Sequence, residues 1–260
     1  MPDNNISGNF EFKLVNPKRR QHNMIKRISK PLLITLVVCC TSLVARAQLG
    51  FDYSEWEIGA GVGINSVMGN AETQTTTPTA HLNLTFNSTP FVNYVFEVQM
   101  GRLAGGDSLT SASGRQFTAD LTSFVFRGQL QLGEILDYEK SPFKNAIKNL
   151  YISAGAGYAV SHITNINRYS IKNPGEYTSG VMNSQVPFIP LRIGYEFKVF
   201  NKYQQPAFKI DLAYAYNYTF SDDLDGFTVG NHRDAYTQIC IGFKFAFGGD
   251  IISYRKQIPY

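Results

Sequence analysis

Charged residues recur at alternate positions within otherwise apolar stretches of this chain: Glu55 and Glu57, Glu97, Arg127, Arg192 with Glu196 and Lys198, Lys209 with Asp211, and Lys244. Five are acidic and five are basic. On an extended chain alternate residues share a face, so each set projects to one side of its strand. If those strands enclose a narrow space, the charges must neutralise one another, because an unpaired buried charge costs several kcal/mol. A selective pore would instead carry an excess of one sign. The pattern predicts ion pairs that fill an interior, with Glu57, Glu97, Arg127, Arg192, Glu196, Lys198, Lys209, Asp211 and Lys244 as candidate members.

Other chemistry is thinly represented. Beyond residue 47 the histidines are His81, His162 and His232. Ser161 adjoins His162, but neighbours on a strand point to opposite faces. Neither a G-x-S-x-G elbow nor an H-E-x-x-H pair occurs, so no catalytic residues are assigned and an enzyme is not expected. Asp222, Asp223, Asp225 and Gly226 form an acidic stretch that would attract Ca²⁺, yet it lacks the spacing and terminal Glu of a calcium loop. A solvated turn is the preferred reading. Cys240 is the one cysteine after residue 47, which rules out an intrachain disulfide or a cysteine-based zinc site there. No cofactor or metal is expected.

These residues must be held by something, and composition bounds what. The chain has 260 residues, 43% hydrophobic and 17% charged, too apolar for disorder. Its net charge of +4 is misleading. Residues 1–47 carry eight basic and two acidic residues, leaving 16 basic and 18 acidic in the remainder. A nucleic-acid partner is therefore not expected. Within 24–47, Lys26, Arg27 and Lys30 precede an apolar run from Leu32 to Val44, followed by Ala45-Arg46-Ala47. This is the layout of a cleaved secretory signal, with Met24 as a candidate start and Gln48 as the mature N-terminus. The run is too short for a membrane anchor of about 20 residues. Lipidation at Cys40 is the lesser alternative, because Cys39 stands where a small residue is usual.

Period-two alternation then recurs in eight stretches: 55–64, 79–87, 91–100, 120–132, 149–163, 186–199, 207–220 and 235–247. They are longer than the 5–6 residues typical of soluble strands and match the requirement of a tilted membrane strand. One face of each is bulky and aromatic, as in Tyr214, Tyr216 and Tyr218; the other holds Gly, small polar residues and the charges. A soluble barrel puts its bulky face inside, whereas a narrow membrane barrel puts it against lipid. Long polar connectors at 65–78, 101–118, 164–185 and 221–234 alternate with short ones at 88–90 and 200–206. Ser141-Pro142 opens a helical pattern through Phe143, Ala146, Ile147 and Leu150.

Several motifs carry a family likeness. W-E-I-G-A-G-V-G at 56–63, G-R-L-A-G-G-D-S at 101–108, Y-I-S-A-G-A-G-Y at 151–158, F-S-D-D-L-D-G at 220–226 and I-G-F-K-F-A-F at 241–247 stand in order. In this the chain resembles the small eight-stranded outer-membrane β-barrel proteins of Bacteroidota, an uncharacterised family, over most of 50–248. The resemblance implies an outer-membrane barrel without an established activity. The extension 248–260 beyond Phe247 departs from barrels that end on an aromatic residue of the last strand.

The expected architecture is thus all-β: an eight-stranded antiparallel transmembrane barrel over 48–260, with long extracellular loops and one short periplasmic helix, behind a 1–47 extension that includes the signal. The expected place is the outer membrane of a Gram-negative cell. The expected role is structural or surface-interacting, with the lumen plugged by ion pairs, membrane lipid as the surrounding partner and any extracellular or periplasmic protein partner unspecified. A narrow porin-like channel for small solutes is the main alternative and a membrane-embedded lipid or peptide hydrolase the second. A secreted lipocalin-like barrel is a further one.

Overall fold

Alternation at period two becomes strand wherever β-branched and aromatic residues fill one face and small or polar residues the other. The computed structural model describes residues 51–109, 113–139, 141–170, 175, 177–201, 206–228, 233–248 and 251–254. The expected leader at 24–47, including Cys40, lies outside the described residues, as do His232 and positions 255–260.

The elements are β1 (Phe51–Ser54), β2 (Trp56–Met68), β3 (Gln74–Asn87), β4 (Val92–Gly106), β5 (Gln116–Gln131), α1 (Leu132–Ile135), α2 (Pro142–Ile147), β6 (Leu150–Asn167), β7 (Asn183–Phe200), β8 (Pro206–Thr219), β9 (Ala235–Ala246) and β10 (Ile251–Tyr254). Strands β2 to β9 form a closed barrel of sequential neighbours. The barrel shuts where β2 meets β9, from Glu57 opposite Ala246 to Met68 opposite Ala235. Closure leaves no free edge in the wall. All eight ladders are antiparallel. Between β6 and β7 the pairing lapses from Ala154–Leu191 to Gly157–Phe188; Pro190 lies in this gap and has no N–H to give.

The strands are longer than the alternation alone suggests, at 12 to 18 residues. Much of the sequence expected as long loops is strand. The loop-end connectors shrink to 69–73, 107–115 and 168–182, and only the fourth, 220–234, keeps its expected span. The reason lies on the outer surface. On β4 the outward row runs Val92, Tyr94, Phe96, Val98, Met100 and then turns polar at Arg102. That apolar row is about 27 Å long at a strand rise of about 3.4 Å, or about 20 Å after a tilt of 35–45°. Beyond it Arg102 pairs with Asp120 at 3.2 Å, both side chains more than half exposed. The strands continue past the apolar belt, so their polar upper ends read as loop.

The turn end differs from expectation in two ways. Leu132, expected at a strand end, opens the one-turn helix α1, so two short helices stand here; α2 covers the expected segment, and its Asn145 N–H donates to the Ser141 carbonyl at 3.0 Å. Second, part of the extension beyond Phe247 is a strand. β10 pairs antiparallel with β1, and Tyr254 packs edge-on against Phe91, with ring centroids 6.0 Å apart. Phe91 also meets Tyr138 at 5.6 Å, and the Lys198 ammonium sits 4.7 Å from its ring centre.

The distribution of side chains is inverted relative to a water-soluble barrel. Outward-facing Val62, Leu82, Met100, Phe126 and Ile152 are each more than half exposed, while Glu97, Arg127 and Lys244 are buried in the lumen. In water, exposing such residues would forgo about 1.5–3 kcal/mol apiece. The belt belongs against hydrocarbon.

Candidate functional site in the barrel lumen

An eight-stranded barrel has an interior just wide enough for side chains to fill, and here it is filled in two layers of different chemistry. The layer nearer the turn end is charged. Glu97 on β4 lies at its centre. Its carboxylate accepts from Arg127 Nη2 on the adjacent strand at 2.9 Å and from both terminal nitrogens of Arg192 on β7, at 3.1 and 2.7 Å. The second contact crosses the barrel as a two-pronged fork, the strongest arrangement a guanidinium makes with a carboxylate. Glu196 on β7 forms a second centre, with Lys244 Nζ at 2.5 Å and Lys209 Nζ at 3.7 Å. Lys209 also reaches Glu57 at 2.8 Å, and Lys244 reaches Asp211 at 3.5 Å.

Four acids and four bases are thus paired inside the wall. Of the remaining expected members, Lys198 sits at the turn end, donating to the Pro90 carbonyl and to Gln131 Oε1, both at 2.7 Å. Glu55 precedes the first barrel strand and is partly exposed, so it is not placed in the layer.

Neutral residues that the charge pattern did not single out complete the network. Gln129 and Gln131 donate to the two Glu196 oxygens at 3.0 and 2.6 Å, Gln99 to Glu97 at 2.6 Å, and the Tyr151 hydroxyl to Asp211 at 2.8 Å. Their signal was available: each lies at an odd spacing from the outward aromatic row of its strand. Gly155 makes the layer fit, since a Cβ there would stand 2.0 Å from the Phe126 carbonyl oxygen and 2.9 Å from Arg127 Cβ.

The layer nearer the loop end holds an apolar cluster set among buried polar side chains such as Asn65, Thr77, Asn217 and Thr219, so ion pairs alone do not fill the lumen. Val67, Leu103, Phe117, Leu121, Val125, Ile163, Phe188 and Tyr236 point inward and form one buried cluster. Leu224 and Phe227 from the β8–β9 connector are part of it. The Phe227 ring stands edge-on to Phe117 at 6.1 Å. Sequence reading missed this seal because Leu103, Phe117 and Ile163 lie in or at the edge of stretches taken as loop.

The connector that supplies the plug contains the acidic stretch. Asp225 is fully buried, not solvated. It accepts from the backbone N–H of Asn70 at 2.7 Å and of Phe227 at 2.9 Å. Gly226 adopts a φ of 79°, a left-handed turn that favours glycine. Asp234, equally buried, accepts from Leu224 N–H at 2.8 Å and Asp225 N–H at 3.3 Å through one oxygen. Burial pushes the Asp225 carboxyl up to about 6. Burial, and then the Asp225 charge, push that of Asp234 up to about 8. Among the described residues no group of three or more His, Cys, Asp or Glu side chains is arranged to hold a metal ion.

The residues considered for catalysis are dispersed. Ser161 points inward and donates to the Leu224 carbonyl at 3.0 Å, while His162 points outward and bonds Asn183. His81 is buried in the lumen. Cys240 is a buried free thiol.

A closed antiparallel wall, an apolar belt outside and a filled interior define a transmembrane β-barrel of eight strands. No protein-family model matches the chain, and no curated protein matches it by sequence. Among solved structures it is similar to Neisserial surface protein A (10% identity, 75% of this chain and 98% of that one, TM-score 0.45). It is also similar to Ail, the attachment invasion locus protein of Yersinia pestis (13% identity, 75% and 99%, TM-score 0.42), and to Acinetobacter baumannii CarO (13% identity, 72% and 97%, TM-score 0.37). The fold assignment rests on the strand pairing of this chain itself.

Proposed function

We propose that the protein is an integral outer-membrane β-barrel of a Gram-negative envelope, with a structural or surface-interacting role rather than a transport role. The observation that carries this reading is the doubly filled lumen: a neutral network of buried ion pairs below and the apolar seal of Leu224 and Phe227 above. A solute path would need polar, hydrated space through both layers. In the proposed orientation the short turns and the β1–β10 pair face the periplasm and the loop end faces outward, as is usual for such barrels. Membrane lipid solvates the belt, and the loop end is what the protein offers to any surface partner. A leader cleaved after Ala47 belongs to the same proposal. The Bacteroidota affinity is supported by the sequence motifs at 56–63, 151–158 and 241–247.

Fractionation of cells expressing the full chain tests it. The protein should appear in the outer-membrane fraction with Gln48 as its N-terminal residue. Its electrophoretic mobility should change on boiling, as the closed barrel opens. Recovery in the soluble periplasmic fraction would contradict the proposal.

A further inference from the structure

The plug segment closes over a pair of buried carboxyl groups that make no ion pair among the described residues. Asp225 from within the connector and Asp234 from its last position converge on Gly69, at the start of the β2–β3 turn. A Cβ on Gly69 would stand 2.5 Å from Asp225 Oδ2 and 2.8 Å from Asp234 Oδ1. Any larger residue would part the two. Among the described residues Asp234 Oδ1 has no hydrogen-bond partner, although it is buried.

Of the charged surroundings, Asp222 opposes ionisation of Asp225 and Arg115 favours it from a distance. Asp222 adds a third carboxylate, held by Asn70 Nδ2 at 2.9 Å. Asp223 is engaged by Ser221 and Thr228. From the β4–β5 connector, Arg115 reaches the Asn70 carbonyl at 3.3 Å rather than either acid. Arg233 turns away to the Tyr218 hydroxyl at 3.2 Å. Glu72 faces the Ser113 N–H. Two buried carboxylates so placed cannot both stay ionised without repelling each other.

We propose that protonation within the Asp225–Asp234 pair latches the 220–228 segment into the barrel mouth, making the apolar plug a pH-sensitive lid. The same two side chains hold the backbone N–H groups of Asn70, Leu224, Asp225 and Phe227, so their repulsion acts directly on the residues that seal the lumen. The sign follows from linkage. In the released segment both carboxyls are hydrated and ordinary, near 3.8. In the closed segment they are raised, to about 6 and about 8. The closed form therefore binds more protons across that interval. It is favoured most below the ordinary carboxylate range, weakens as pH rises through about 8, and changes little above. The charged layer beneath does not depend on the latch, so the lid governs access to the mouth and does not by itself open a pore.

The test is a titration of the folded full-length barrel in lipid nanodiscs with a chelator present, from about pH 5 to about pH 9. It follows ¹³C signals of the aspartate carboxyls and of the Leu224 methyls. One carboxyl of the pair should titrate above pH 7, and the Leu224 methyls should shift with the same midpoint. In Asp234→Asn the high inflection should vanish, the Asp225 midpoint should fall, and the Leu224 signals should keep their acid-side positions throughout. Ordinary titration of every aspartate near 4 would overturn the proposal. So would Leu224 signals insensitive to pH, or loss of the inflection in His232→Gln. None of these readouts involves conductance, so the proposal can fail while the closed-lumen reading stands, and the reverse.

Discussion

Removing the carboxylate at the centre of the charged layer should be among the most damaging conservative changes available in this barrel. Glu97 is fully buried and accepts one charged bond from Arg127, two from Arg192 and a neutral one from Gln99. Glu97→Gln keeps the size of the side chain, but it replaces a doubly accepting anion with a neutral amide whose NH₂ faces a guanidinium. Two buried cations then lose their counter-charge at once. Breaking a buried pair by removing one partner costs about 3–5 kcal/mol, and Glu196 and Asp211 already serve Lys244, Lys209 and Tyr151. With a urea m-value of about 2 kcal/mol/M, the unfolding midpoint in lipid vesicles should fall by about 1.5–2.5 M. Trp56 is the only tryptophan and packs on Phe86 with centroids 5.0 Å apart, so its fluorescence reports the wall directly. Pairing Glu97→Gln with Arg192→Met should recover part of the loss by removing one orphaned cation. A midpoint shift below about 0.5 M for Glu97→Gln, equivalent to about 1 kcal/mol, would refute the reasoning. So would a double variant no better than the single one.

Three further outcomes are expected. Phe96→Arg, in the middle of the lipid-facing row of β4, should destabilise by about 2–4 kcal/mol in vesicles, whereas Ser123→Ala on the lumen face should cost about 1 kcal/mol for its bond to Gln99; equal effects would mean the faces are reversed. Gly155→Ala forces a methyl against the Phe126 carbonyl and Arg127 and should lose about 1–3 kcal/mol by overpacking, read as a lower melting temperature. Phe227→Ala empties the plug beside Phe117 and should lose about 3–5 kcal/mol if the site does not collapse, with faster proteolysis of the 220–234 segment as the direct readout.

The barrel was legible because its signal is local. Trp56, Ile58, Val62 and Ile64 against Glu57, Gly59, Gly61 and Gly63 state both the strand and its two faces, and the same rule places Arg127, Arg192, Lys209 and Lys244 inward. What was not legible depends on depth along the barrel. The inward charges give way towards the loop end to neutral polar and apolar residues, so Leu103, Phe117 and Ile163 follow the strand period but not the composition expected of the lumen. Asp225 reads as a solvated turn residue because its burial comes from contacts with Asn70 and the β2–β3 turn, more than 150 residues away in sequence. Pairing of β1 with β10 is likewise a contact between distant segments, with Asp52 and Ser253 lying 201 residues apart, which no local period encodes.

Single-channel recording in planar bilayers tests the central claim, a lumen filled along its length. Purified, folded protein should give no discrete current steps at neutral pH, because the Glu97 and Glu196 networks and the Leu224–Phe227 seal leave no continuous water path. Stable, ohmic openings with ion selectivity in the unaltered protein would contradict the account and favour a narrow channel instead.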